Sequence, residues 1–288
     1  MVLGKKATTI QDVARHAKVS AATVSRVLST PERVSEAARE RVHAAIRETG
    51  YTLNQAARTL RLQRAKTILT AMPGIGNPFY STILQAVIAA AAHRGYAVIT
   101  ASRLGVDPGR WLNDYLVSNR ADGLLIFDGS LNTPALHHLT EDDAPLPLVA
   151  AYDELPDPRI NSVITDNRAA ARRAVRYLID NGHRRIVHVA GPSRNASPNE
   201  RALGFHEGMA AAHLKVQPEW VIQGDYSMPR GEAPADRVIA MKNRPTAAFV
   251  GNDEMAIGFI ARLRARGIEC PGDISGIRFV DIEVSRAF

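Results

Sequence analysis

Apolar residues in the first fifty positions recur at helical spacing: Ile10, Val13 and Ala14, then Val19, Val24, Val27 and Leu28, then Ala38, Val42, Ala45 and Ile46. This pattern predicts three short helices, each with one inward stripe. The first spans 10–16, capped by Thr9 with Asp12 in its opening turn. The second opens at Val19-Ser20 and runs to 28. The third spans 35–49 and stops at Gly50. Two helices joined by only a few residues and followed by a third have helix-turn-helix geometry.

From position 67 the rhythm changes to short apolar runs alternating with helical stretches. Strands are expected at 67–72, 96–101, 123–127, 146–151, 162–165, 185–190, 220–223, 247–250 and 277–280, and helices at 79–94, 109–119, 167–181, 200–213, 230–243 and 253–266. Such alternation implies right-handed βαβ units, hence an α/β body with parallel sheets and helices on both faces. The polar, proline-containing stretch 153–161 divides the body into two lobes, about 67–153 and 162–288. The expected organisation is a helix-turn-helix domain at 1–52, a linker at 53–66 and a two-lobed domain at 67–288.

Charge sharpens this division. Residues 1–66 carry thirteen Lys/Arg against five Asp/Glu, a surplus of eight, whereas the remainder carries 23 against 24. A basic head on a neutral body points to a polyanion-binding module joined to a domain with another task. The single cysteine, Cys270, excludes an internal disulfide, and no Cys/His set has zinc spacing. The absence of a long apolar N-terminal stretch argues against a signal peptide, so a cytoplasmic, nucleoid-associated protein with no membrane partner is expected. Chemistry-bearing motifs are sparse. The 73–78 stretch holds a G-x-G without a third glycine and is broken by Pro78, and there is no G-x-S-x-G or Walker A run. The expectation is a non-enzyme without cofactor or metal.

The segment TIQDVARHAKVSAATVSRVLSTPERVSEAARERVHAAIRETGYTLNQAARTLR, residues 8–61, resembles the DNA-binding head of the lactose/galactose-repressor (LacI/GalR) family, nearest its cytidine-repressor-like branch. The resemblance implies a body like the periplasmic sugar-binding proteins and a second helix lying in the DNA major groove. The DNA-contact set it suggests is Thr9, Ser20, Ala21, Ala22, Thr23, Ser25 and Arg26 in the head, and Asn54, Ala57, Arg58, Leu60 and Arg61 in the NQAARTL stretch. Arg26 is the expected base reader, because a guanidinium can donate two parallel bonds to guanine O6 and N7. Thr23 and Ser25 fit phosphate contacts, and Ser20 fits a helix cap. The NQAARTL stretch resembles the family's hinge helix, which orders on DNA. There Leu60 would be the minor-groove wedge, and Arg58 and Arg61 would neutralise phosphates.

For the body, ligands in open parallel sheets bind beyond the carboxyl ends of the strands. That rule places Asn77 to Tyr80, Asp128, Asp166, Arg201, Asn252, Asp253 and residues 279–282 around a cleft. The resemblance implies effector contacts from Phe79, Tyr80, Arg201, Asn252 and Asp253, and a sugar- or nucleoside-class ligand. The sequence departs from the family at ISGIRFVDIEVSR. Family members carry a Gly-aromatic-Asp-Asp turn there, but Arg278 replaces the glycine, Val280 replaces the first aspartate, and Asp281 is only the second acid. The family also continues past Phe288 with a strand and helix returning to the first lobe. Without them, apolar surface or an unpaired edge is expected on that lobe. The expected function is a homodimeric repressor on a palindromic DNA operator, under effector control. The alternative is an effector-blind or truncated member that binds DNA constitutively.

Overall fold

The computed structural model describes residues 8–52, 64–102, 108–118, 120–129, 136, 147–152, 155 and 157–283. The chain divides into two compact units, Met1–Gln63 and Arg64–Phe288.

In the first unit, α1 (Ile10–Ala17), α2 (Ala21–Ser29) and α3 (Glu36–Thr49) enclose a core of Val13, Ala14, Ala17, Val24, Val27, Val42 and Ala45. Thr9 caps α1 in a reciprocal box: its hydroxyl accepts from the Asp12 amide and its own amide donates to the Asp12 carboxylate at 2.9 Å. Those bonds from Thr9, with Arg15 nearby, hold the Asp12 carboxyl below its ordinary value. Between α1 and α2 the chain reverses at Lys18, which adopts the left-handed conformation with φ 52°. Ser20 restarts the helix by accepting from the Thr23 amide at 3.1 Å.

The second unit holds two parallel sheets. Lobe one comprises β1 (Thr67–Met72), α4 (Pro78–Ala92), β2 (Ala97–Ser102), α5 (Pro108–Val117), β3 (Gly123–Ile126), β4 (Leu148–Ala151) and β5 (Asn161–Val163), with strand order β2-β1-β3-β4-β5. Lobe two comprises α6 (Asn167–Asp180), β6 (Ile186–Ala190), α7 (Ala196–Ala211), β7 (Val221–Gln223), α8 (Pro229–Ala240), β8 (Ala247–Val250), α9 (Asp253–Ala265) and β9 (Ser275–Arg278), with order β7-β6-β8-β9. Every strand pairing among the described residues is parallel.

The period-two alternation of strands explains how each sheet is covered. In lobe two, Val187, Val189, Ala248 and Val250 pack with α8 and α9 residues such as Ala235, Val238 and Phe259. Their neighbours Ile186, Ala247 and Phe249 point the other way, onto Val175, Phe205 and Met209 of α6 and α7. Both faces are therefore closed. In lobe one, Leu69, Ala71, Leu124, Ile126, Leu148 and Ala150 form a core with Leu112 and Leu116 of α5. On the alternate positions Ile68, Leu125 and Val149 are only half-buried. Helix α4 is strongly apolar, yet only Ala91 of its residues is buried and Ile88 is 47% exposed. Apolar surface is thus present on this lobe, at α4 and at the edge positions Ile99 and Val163.

Element boundaries differ from the sequence reading in places with physical causes. Helix α7 begins at Ala196 rather than 200, because Pro198 lies in its first turn, where a missing N–H leaves no helical bond unmade. Strand β9 occupies Ser275–Arg278 rather than 277–280, because Val280 turns to φ 83° and ends the extended run.

Candidate functional sites in the head and the cleft

On α2, Val24 and Val27 are buried and Ala21 packs against the same core, which turns Ala22, Arg26 and Ser29 outward as one exposed stripe. Positions i, i+4 and i+7 share a helical face, so this stripe is a geometric consequence of the inward valines. Ser20 and Thr23 lie at its N-terminal end, their hydroxyls 2.9 Å apart. Thr23 and Ser25 are half-buried, and Thr9 is exposed at the start of α1 within its capping box. The positions Asn54, Ala57, Arg58, Leu60 and Arg61 lie outside the described residues.

In the second unit a cavity of about 470 Å³ opens where strands of both sheets end. Its wall includes Asn77, Phe79 and Tyr80 after β1, Asp128 after β3 and Tyr152 after β4. From lobe two come Arg194 after β6, Tyr226 after β7, Asn252 and Glu254 after β8, and Val280 after β9. All stand at carboxyl ends, where the converging strands leave a crevice. Phe79, Tyr80 and Tyr152 form an aromatic cluster, with ring centroids 4.7 Å apart for Phe79 and Tyr152 and 5.2 Å for Phe79 and Tyr80. Asn77 caps α4 by accepting from the Phe79 amide at 2.9 Å and donates its side-chain amide to Glu254 of the other lobe. Burial raises the Glu254 carboxyl above its ordinary value, with the Asn77 bond opposing. Asn252 accepts from the Met255 amide and donates to the Tyr226 carbonyl, both at 3.0 Å.

Arg201 lies behind this wall, 1% exposed on α7, with four of its five N–H donors directed to protein acceptors. Its Nε donates to Asn167 Oδ1 at 2.8 Å, one terminal nitrogen to the Gly251 carbonyl at 2.6 Å and to the Tyr226 hydroxyl at 3.4 Å, and the other to the Tyr152 hydroxyl at 2.7 Å. The guanidinium lies 3.7 Å from the Phe279 ring centroid. Tyr152 is held at its backbone as well, its carbonyl accepting from Ser197 Oγ at 2.8 Å. Beneath Arg201, the fully buried His188 stacks between Phe205 and Phe249, with ring centroids at 5.2 and 4.8 Å. Its Nδ1 donates to the Phe249 carbonyl, and burial lowers its pKa from 6.5 to about 4.

Asp253 is buried and lies 2.6 Å from Arg278 Nε through Oδ1, while Oδ2 accepts from the Ile282 amide at 2.6 Å. Desolvation still raises its pKa, against the pull of that amide and of Arg278. Asp281 is exposed and 3.6 Å from Arg278. Asp166 caps α6 by accepting from the Ala169 amide at 2.8 Å and is not part of the cavity wall. The fold thus brings Phe79, Tyr80, Asp128, Asn252 and Asp253 together, sets Arg201 behind them, and leaves Asp166 at a helix cap.

Tyr152, Tyr226 and Glu254 were not singled out in the sequence, although each follows a strand end. Tyr152 and Tyr226 have φ of 80° and 71°, and with Val280 they put three strained non-glycine residues on one cavity wall. Such backbones cost about 1–3 kcal/mol each and concentrate at binding sites. Gly191 makes room for this arrangement, since a Cβ there would fall 2.2 Å from the Tyr226 ring.

Comparison with known proteins agrees with both halves of this picture. Residues 9–54 match the family described as bacterial regulatory proteins, lacI family, and residues 175–288 match the periplasmic binding protein-like domain. The HTH-type transcriptional repressor CytR of Escherichia coli is 32% identical over 281 residues, 97% of this chain and 82% of that protein. The HTH-type transcriptional repressor PurR of Vibrio parahaemolyticus is 33% identical over 283 residues, 97% of this chain and 84% of that protein. Among solved structures, the Lac repressor dimer bound to operator and the anti-inducer ONPF superposes with a TM-score of 0.85 at 29% identity, covering 96% of this chain and 84% of that one. A CelR–cellobiose complex superposes at 0.68 with 30% identity and the same coverage.

Proposed function

This chain belongs to the LacI family of bacterial regulatory proteins and is a DNA-binding transcriptional repressor with an effector-binding domain, not an enzyme; from that premise we propose that it binds a palindromic operator as a homodimer and is modulated by a small ligand of the sugar or nucleoside class held between its two lobes. The observation that carries the DNA half is the outward stripe of α2, Ala22, Arg26 and Ser29, standing on a head with a surplus of eight positive charges. Alanine can meet a thymine methyl and arginine can fork onto a guanine, so the stripe suits a base-edge surface, with Ser20, Thr23 and Thr9 beside it for phosphates. A single recognition helix reads too few base pairs alone, which favours two copies on two half-sites. The apolar, exposed face of α4 is one place where a second copy would bury surface, Ile88 being the largest residue there. Leu60, with Arg58 and Arg61, is assigned to a minor-groove hinge that would couple lobe movement to DNA affinity.

For the ligand half, the aromatic cluster would give a stacking surface, and the strain at Tyr152, Tyr226 and Val280 supports reading the cavity as a binding site rather than a packing gap. The titration that tests both halves is a footprint on random-selected duplex DNA at moderate salt, repeated with a panel of sugars and nucleosides. A protected two-fold-symmetric site whose affinity changes with one of these ligands is the expected result. No protected site at all would remove the operator assignment. The second reading, constitutive DNA binding, is favoured by one observation: Asp253, an expected ligand contact, is engaged by Arg278 and the Ile282 amide. A symmetric footprint indifferent to every ligand is its signature.

A further inference from the structure

We propose that the interlobe cavity selects neutral or cationic ligands rich in hydrogen-bond donors and rejects phosphorylated or carboxylated ones, with Tyr152 and Tyr226 as the residues that set this charge preference; the inference rests on the cavity being the effector site.

A buried arginine in a ligand cleft ordinarily offers a planar fork that recognises anions bidentately. Here four of its five N–H donors are already taken up within the chain. Four acceptors meet the Arg201 guanidinium: the Asn167 amide oxygen, the Gly251 carbonyl and the hydroxyls of Tyr152 and Tyr226. The two tyrosine rings line the cavity while their hydroxyls turn back to Arg201, so they lie between the cation and any occupant. A bound anion would have to displace a 2.7 Å charge-assisted bond to Tyr152 before reaching the guanidinium. Tyr152 is also tied down at its backbone through Ser197, whose hydroxyl in turn accepts from Asn167 at 3.2 Å.

The charged groups that do line the cavity are mostly acids. Asp128 and Glu254 face it alongside Asp253, whose charge is matched by Arg278, and the exposed Asp225, which lies 3.4 Å from Arg230. Among the described residues the cation on the wall is Arg194, exposed on the turn into α7, where water and salt screen it. Carboxylates accept hydrogen bonds and repel other anions, most strongly where water is partly excluded. Amino and hydroxyl groups on a ring stacked over Phe79, Tyr80 or Tyr152 would find acceptors. A phosphate would find like charge and a guanidinium already engaged.

Three matched pairs test this by calorimetry on the full chain: adenosine and its 5′-monophosphate, cytidine and its 5′-monophosphate, glucose and its 6-phosphate. The neutral member of any binding pair is expected to bind at least tenfold tighter than its phosphorylated partner. In Tyr152→Phe, which keeps the ring and frees one terminal nitrogen of Arg201, the phosphorylated member should gain about fivefold with the neutral one little changed. Tyr226→Phe should move the ratio in the same direction. A phosphorylated ligand binding equally or more tightly in the unaltered protein overturns the proposal while leaving ligand control intact. An unchanged ratio in both variants removes the tyrosines from it. Failure of all six compounds to bind, with the thermal transition intact, counts against the effector reading itself and takes this inference with it.

Discussion

The Arg201 guanidinium donates to the Tyr152 hydroxyl at 2.7 Å, joining a helix of lobe two to the residue that follows β4 of lobe one. Because Tyr152 also packs on Phe79 at 4.7 Å, the contact makes one aromatic side chain part of both lobes. Replacing Arg201 with lysine keeps the charge but not the planar fork, and an ammonium cannot serve acceptors spread over four residues. The expected loss is about 3 kcal/mol of body stability, since buried acceptors lose charged donors. Denaturant melts of the single variants and of the Arg201→Lys, Tyr152→Phe pair should show a coupling of roughly 1 kcal/mol or more. Simple additivity would show that the bond contributes nothing beyond packing.

In the head, Arg26 is exposed on α2 and Val24 beside it is fully buried, so their substitutions should separate recognition from folding. Arg26→Ala should relax base preference at one operator position by about 1–3 kcal/mol and leave the melting of the protein within about 0.5 kcal/mol. Val24→Ala should lower the stability of the head and weaken all DNA sequences together. Competition titrations against single-base operator variants distinguish the two. A uniform loss for Arg26→Ala would assign it to the phosphates.

How much of this was legible in the sequence varies by element. The head helices follow from the apolar stripes and from side chains that cap locally, Thr9 and Ser20, and both caps are present. Strands β1 and β8 lie at 67–72 and 247–250 as the apolar runs predict. The cleft was legible as a location, because strand ends converge in this topology. What could not be read was the internal wiring. Arg201 in RALGF looks like a ligand contact, and only the three-dimensional approach of Tyr152 and Tyr226 shows its donors engaged. Both tyrosines adopt positive φ, a conformation no propensity rule assigns to tyrosine. The engagement of Asp253 by Arg278 likewise joins residues 25 positions apart through the pairing of β8 with β9.

Helices α8 and α9 meet where glycine allows the backbones to touch. A Cβ on Gly258 would fall 2.0 Å from the Met228 carbonyl, and one on Gly231 2.1 Å from the Met255 carbonyl. Backbone cannot swing aside as a side-chain tip can, so Gly258→Ala should force the helices apart and cost about 2–3 kcal/mol. Gly272→Ala is the control: its nearest neighbour is 3.5 Å away, an ordinary contact. Thermal melts should show a drop of several degrees for the first and little change for the second.

His188 makes the body's stability depend on pH in a direction that can be stated. Its folded pKa, about 4, lies below the ordinary 6.5 because burial disfavours the imidazolium and Arg201 adds a like charge. Between those values the unfolded chain binds a proton that the folded chain refuses, so stability falls as pH drops from 7 toward 4. For this one group the loss between pH 7 and pH 5 is roughly 2 kcal/mol. His188→Leu removes the titrating ring while leaving an apolar side chain between Phe205 and Phe249. It should lower stability at pH 7, where the bond to the Phe249 carbonyl is lost. The variant should also flatten the pH dependence relative to the unaltered protein, whose other histidines are common to both. Chemical denaturation at pH 5 and pH 7 measures the difference of differences, and equal pH slopes in the two proteins would mean His188 does not stay neutral in the fold.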